Sequence, residues 1–228
     1  MYVPNYIPAP LEVPHNVTQE RYRVRLGFIR RVALLHLLSL LIVGGLSMLN
    51  LISVPVEASV LELALVLVAL LIVRILMRGT KGDLLFSLAL SPVLLLSVAI
   101  LVRILNQTGW PVWGIGVGAG CATLYTLCCG RDFSFVGQFC LSLIASSVAL
   151  AIVAIKLGMS TQDAAFLLGA NAAYLFYLVY DSASLLARRR LGEELGAVID
   201  LYRDVFNFFG YFVRVARHWR KHRIWARP

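Results

Sequence analysis

The chain has 228 residues, 60% of them hydrophobic and only 14% charged, with a formal net charge of +9. Soluble domains run nearer half apolar and a quarter charged, so this composition excludes a soluble fold of this length and favours one helical bundle in a bilayer. The Lys and Arg residues cluster between apolar runs and at the chain ends, where they read as topology determinants and contacts for anionic lipid headgroups; no signature of a nucleic-acid-binding fold accompanies them.

Residues 1–24 read as a flexible cytoplasmic tail, with Pro4, Pro8, Pro10 and Pro14 and no apolar core of signal-peptide length. A spanning helix needs about 20 mostly apolar residues. Seven stretches over residues 25–215 qualify as candidates. The first, Val32–Ile52, follows the basic run Arg21, Arg23, Arg25, Arg30 and Arg31, and is followed by Val56–Met77. Leu84–Leu105 contains Pro92, which predicts a kink. Val112–Cys129 carries Gly114, Gly116, Gly118 and Gly120, a small-residue spacing that lets helices approach closely in lipid. Phe133–Leu157, Ala164–Ala187 and Leu195–Val215 complete the set, and residues 216–228 form a basic C-terminal tail. The expected fold class is therefore all-α, a polytopic seven-transmembrane-helix bundle.

Loop charge sets the orientation. The basic N-terminal flank, the turn with Arg78 and Lys81, the turn with Arg131, and the run Arg188–Arg190 fall on alternate loops, consistent with a cytoplasmic N-terminus through six helices. The seventh helix breaks the rule, because Arg214, Arg217, Arg220, Lys221 and Arg223 follow it. Either it re-enters and leaves the tail cytoplasmic, which we favour, or the basic tail crosses despite its charge.

Cys121, Cys128, Cys129 and Cys140 all lie in apolar runs without CxxC or Cys/His spacing, so they read as small packing residues. His36 reads as a packed or hydrogen-bonded residue of helix one, and Glu62 as either a structural or a pore residue of helix two.

Ionisable groups inside apolar helices carry the functional argument, since each costs at least about 2.5–3.5 kcal/mol at the bilayer centre and needs a partner or a role. They are Asp181 on helix six, Asp200, Arg203 and Asp204 with Asn207 on helix seven, and Arg74 with Arg78 at the end of helix two. At about 1.5 Å per residue, Asp181 lies roughly 9 Å from the end of helix six and Asp204 roughly 13 Å from the start of helix seven. If helices two, six and seven are neighbours, two carboxylates and an arginine pair meet in one layer. Two carboxylates in contact share one proton and titrate together, which makes a two-state element biased by pH. Ionised, Asp181 and Asp204 also offer oxygen ligands to calcium, as a weak site suited to a permeation path. The alternative is a structural ion-pair network.

Three segments resemble the Bax inhibitor-1 family, the transmembrane Bax-inhibitor-motif proteins, in its bacterial type. They are Arg25-Leu26-Gly27-Phe28-Ile29-Arg30-Arg31-Val32, then Asp132-Phe133-Ser134-Phe135 with Gly137, and last Tyr180-Asp181 with Leu201-Tyr202-Arg203-Asp204-Val205-Phe206-Asn207-Phe208-Phe209. The resemblance implies seven helices with the last one central. It also implies a pH-sensitive calcium leak with Asp181 and Asp204 as the sensor and Arg78 as the latch to the helix-six aspartate. Arg203 departs from the pattern, standing where the family has an apolar residue. The functional expectation is a calcium leak channel without enzymatic activity or bound cofactor, with calcium as permeant ion; a non-conducting scaffold is the competing reading. Short loops point to a bacterial inner membrane, with endoplasmic reticulum or Golgi as the alternative.

Overall fold

The computed structural model describes residues 13–49, 56–77, 82–130 and 133–210. Seven helices follow a short 3-10 turn at Val17–Gln19: α1 Tyr22–Met48, α2 Val56–Met77, α3 Gly82–Gln107, α4 Gly114–Cys128, α5 Phe135–Lys156, α6 Thr161–Arg188 and α7 Glu194–Gly210. Each predicted helix is present. α1 begins ten residues earlier than expected, because the arginines of its first turns find partners. Arg30 donates to the carbonyls of Thr126 and Cys129 at 3.0 and 2.9 Å, satisfying acceptors that the end of α4 leaves open, and Arg31 pairs with Glu194 at 2.8 Å.

Among the described residues, four stretches are long and apolar enough to cross a membrane: Tyr22–Met48, Leu84–Gln107, Phe135–Lys156 and Thr161–Arg188. Large apolar side chains face outward along them, among them Leu38, Leu41, Leu85, Ile144 and Ile155, each more than half exposed. An apolar outer face with polar groups turned inward fits a lipid surround. Pro92 lies within α3, which continues through it.

The short α4 is held by close approach. A Cβ at Gly114 would stand 2.6 Å from Leu167, and one at Gly118 would overlap the Asn171 side chain, so these two glycines let α4 press onto α6. Gly116 and Gly120 have open space instead. Asn171, thus placed, donates to Ser146 of α5 at 2.8 Å. Ser134 and Ser160 cap α5 and α6 by accepting from the amides of Gly137 and Asp163.

α7 packs against α1, α2, α3 and α6, and α1 against α3, α4, α6 and α7, so the last helix is enclosed by the bundle. Its continuation past Gly210, and with it the question of re-entry, lies outside the described residues, as do Arg78, residues 1–12 and the basic tail 216–228.

Within the segment expected as a flexible tail, Val13–Glu20 is tied to the bundle. The amides of Val13 and Val17 donate to the carbonyls of Ala187 and Arg189, both at 3.0 Å, and Val17 is fully buried. The physical reason is the end of α6, whose last carbonyls have no intrahelical donor and accept from this strap.

An ionic layer between the last two helices

Asp181, Ser184 and Arg188 follow one another at i, i+3 and i+7 on α6, which puts them on one helical face. Asp200, Arg203 and Asp204 follow at i, i+3 and i+4 on α7 and also share a face. Gly192, at φ +88°, allows the sharp reversal that turns α7 back against α6. The two faces therefore meet, and the charged groups meet with them.

Arg188 is the centre. Its Nη1 donates to Asp204 and its Nη2 to Asp181 and to the Ser184 hydroxyl. One guanidinium thus bridges the carboxylates of both helices. A second set surrounds it: Arg189 Nε donates to Asp200 at 2.8 Å, and Arg203 reaches Asp200 and Asp204, each at 2.7 Å. All six residues are at least nine-tenths buried. Three arginines face three aspartates, so the layer is neutral when every member is ionised. Ion pairing of this kind offsets a desolvation penalty of several kcal/mol per ion, and removal of any one member leaves the buried layer with an uncompensated charge. Two polar atoms in the layer are left over: Asp181 Oδ2 and Arg188 Nε have no hydrogen-bond partner.

Asp181 and Asp204 stand in one layer, both on the Arg188 guanidinium, with Asp200 and Arg203 beside them. The shared proton expected from the sequence has its place taken by Arg188. The same guanidinium stands between the oxygens read as a weak calcium site. Among the described residues no group of three or more His, Cys, Asp or Glu gathers for a metal. The latch position Arg78 lies outside the described residues, and the side chains of Arg74 and Asn207 are also outside them. Arg188, Arg189 and Ser184 were missed. The signal was present as a seven-residue spacing between Asp181 and Arg188, but Arg188 stands in a basic triplet that reads first as a topology signal.

On the other side of the layer lies a polar cluster. Tyr177, one turn before Asp181 on α6, donates to the Leu201 carbonyl of α7. His36 is buried and pairs through Nε2 with the Tyr174 hydroxyl, as the expectation of a hydrogen-bonded histidine required. The Tyr202 ring meets His36 edge-on at 5.4 Å, and its hydroxyl pairs with Ser39 at 2.8 Å. Glu62 is half-buried and accepts from Ser97 at 2.9 Å, which ties α2 to α3.

Fold and layer together define an all-helical, polytopic integral membrane protein. The chain is similar to two curated proteins of Arabidopsis thaliana. It is 30% identical to Protein LIFEGUARD 3 over 100 residues, covering 42% of this chain and 40% of that protein, and 30% identical to Protein LIFEGUARD 2 over 92 residues, covering 38% of each. These matches span less than half the length of either relative. No protein-family model matches the chain, and no solved structure matches it.

Proposed function

We propose that this protein is a non-enzymatic, pH-sensitive cation leak of the Bax inhibitor-1 type, with calcium as the permeant ion and the Asp181–Arg188–Asp204 bridge as its gate. The observation that carries the reading is the single guanidinium held between carboxylates of two different helices. Such a group both neutralises the oxygens and fills the space that a cation would take. Protonation of Asp204 weakens the arm that ties Arg188 to α7, and protonation of Asp181 weakens the arm that sets the guanidinium in place on α6. The unpartnered Oδ2 of Asp181 is a place where that proton can be received. With Arg188 displaced, the remaining carboxylate oxygens suit a hard cation. The similarity to the LIFEGUARD proteins and the three segments resembling the Bax inhibitor-1 family support the same reading.

A second reading is favoured by the charge balance of the layer: three buried arginines against three buried aspartates form a structural clamp that conducts nothing. Liposomes loaded with a calcium dye separate the two. The leak reading expects influx that rises as pH falls from 8 to 6, and a changed pH profile in Asp181→Asn and Asp204→Asn. Influx equal to that of empty liposomes at every pH would leave the clamp.

A further inference from the structure

A cavity of about 820 Å³ opens at the end of the bundle opposite the ionic layer and runs inward between α1, α3 and α4 to a floor made by α6 and α7. Met48 and Trp113 lie at its mouth, and His36, Tyr174 and Tyr202 at its inner end. His36 stands 12 residues before the end of α1, so the cavity reaches roughly 18 Å along that helix, to about the middle of a bilayer.

The lining is chiefly apolar, and Leu41 and Met48, which contribute to it, are 63% and 87% exposed on α1. The cavity is therefore in reach of molecules dissolved in the membrane. Its size falls in the range that encloses a small organic ligand, and apolar cavities of this kind take up apolar guests. The inner end differs in chemistry. It is lined by His36, Tyr174, Tyr177 and Tyr202; the tyrosine hydroxyls are paired within the protein, and the Nδ1 of His36, a residue only 3% exposed, has no hydrogen-bond partner. A buried polar atom left unpaired is costly, so a guest that brings a hydrogen-bonding group to this end is favoured over a pure hydrocarbon. No charge awaits the guest there. Among the described lining residues Arg103 alone is formally charged, and it lies towards the mouth, donating to the Leu49 carbonyl at 3.3 Å.

We propose that this cavity is a binding site for a neutral membrane amphiphile, an apolar chain or ring system carrying one hydroxyl or carbonyl, which enters from the bilayer with its polar end towards His36. The proposal does not depend on the leak reading, because occupancy is measured without any flux.

The test uses two photoreactive probes in nanodiscs holding the full chain: a hexadecanol with a diazirine in mid-chain, and the matching hexadecane diazirine. Crosslinks are mapped by peptide mass spectrometry. The wild type is expected to give saturable labelling on cavity-lining peptides of α1 and α4, with hexadecanol competing about three- to tenfold better than hexadecane, the effect of one hydrogen bond. His36→Leu is expected to abolish that preference while hydrocarbon labelling persists. Gly116→Leu, at a lining position where a Cβ meets nothing within 4 Å, is expected to remove labelling by both probes without unfolding the chain. Equal competition by the two compounds in the wild type would overturn the proposal, as would labelling that does not saturate or that Gly116→Leu leaves unchanged. A thermal melt of each variant confirms that loss of labelling is read on folded protein.

Discussion

Arg188 and Asp204 are 16 residues apart in the chain and meet in the buried interior, Nη1 of one donating to Oδ2 of the other across the junction of α6 and α7. The turn between them, with Gly192 at φ +88°, makes that meeting possible. The second arm of the same guanidinium holds Asp181 on its own helix, so Arg188 is set on α6 and reaches α7 through Asp204, beside the Arg189–Asp200 and Tyr177–Leu201 contacts. The consequences of this one group can be measured separately from any conductance.

Replacing Arg188 with Met removes the only member of the layer that touches both Asp181 and Asp204 directly. Two carboxylates then stand buried without their shared cation. Breaking a buried ion pair by deleting one partner costs about 3–5 kcal/mol. A fall in melting temperature, or in the denaturant midpoint in detergent, should report a loss of that size. Arg188→Lys should recover part of it only, because an ammonium is a point charge and cannot fork between two carboxylates as a guanidinium does. Full recovery by Lys would show that charge alone, and not the two-armed geometry, holds the layer.

The carboxylates should differ from the arginine in their effect on pH dependence. Asp181→Asn and Asp204→Asn each remove a group that takes up a proton while keeping the side-chain size. On the leak reading, both variants should give calcium influx into dye-loaded liposomes that varies less between pH 6 and 8 than wild type, with the flux raised at pH 8. The sign follows from the bridge: an amide, like a protonated acid, no longer draws the guanidinium by charge. Influx that keeps the wild-type pH profile in both variants would remove the gate from this layer.

Much of this layer was legible in the sequence, and the part that was not has a physical explanation. Asp181 and Asp204 stand out because an acidic residue in an apolar run is expensive, so each had to have a partner. Gly114 and Gly118 were legible for the same kind of reason, since small residues on a membrane helix mark close approach; which of the four glycines faced a neighbour depended on how α4 is rotated, and no local pattern fixes that. Arg188 was hidden by its surroundings. In Arg188-Arg189-Arg190 the positive-inside rule explains all three residues at once, whereas only Arg190 is spent at the surface, donating to the Pro14 carbonyl at 3.0 Å. The first two turn inward because α7 folds back with acids on the facing side. The strap at Val13–Glu20 was also illegible. It closes a proline-containing polar stretch that reads as flexible, and its order comes from acceptors on α6 that are distant in sequence.

The glycines of α4 give a paired test with opposite expectations. Gly118→Ala puts a methyl group where Asn171 stands, so either α4 moves off α6 or the Asn171–Ser146 bond is lost, and stability should fall by about 1–3 kcal/mol. Gly116→Ala meets nothing within 4 Å and removes only the conformational freedom of glycine, so it should be neutral or stabilising by up to about 1 kcal/mol. Thermal melts of the two variants in the same detergent decide it. Equal effects would mean that the close contact at Gly118 does not carry the α4–α6 packing.

Orientation can be read from one thiol. Cys128 is exposed at the end of α4, beside the carbonyls that accept from Arg30 and so at the basic end of the bundle. With the other three cysteines changed to Ala, a membrane-impermeant maleimide should label Cys128 in inverted vesicles and leave it unlabelled in intact cells or right-side-out vesicles, as a cytoplasmic basic end demands. Labelling from the opposite side would invert the topology of all seven helices, since alternate crossings are tied to one another.

The strap offers the last test, because it fixes the end of the helix that carries Arg188. The amides of Val13 and Val17 are the donors to Ala187 and Arg189, the residues on either side of that arginine. Val17→Pro deletes one donor, and Val17→Asp keeps that donor but places a charge at a fully buried position. Both should raise amide hydrogen exchange over residues 184–194, with Val17→Asp the larger, while exchange in α5, which the strap does not touch, should stay at the wild-type level. If the bridge is a gate, the same variants should leak more at every pH, since a loosened α6 terminus no longer holds Arg188 against Asp204. Exchange that rises without added leak would keep the strap as a structural tie and count against Arg188 as the barrier. Exchange unchanged in both variants would mean that the end of α6 is held by the ionic layer alone.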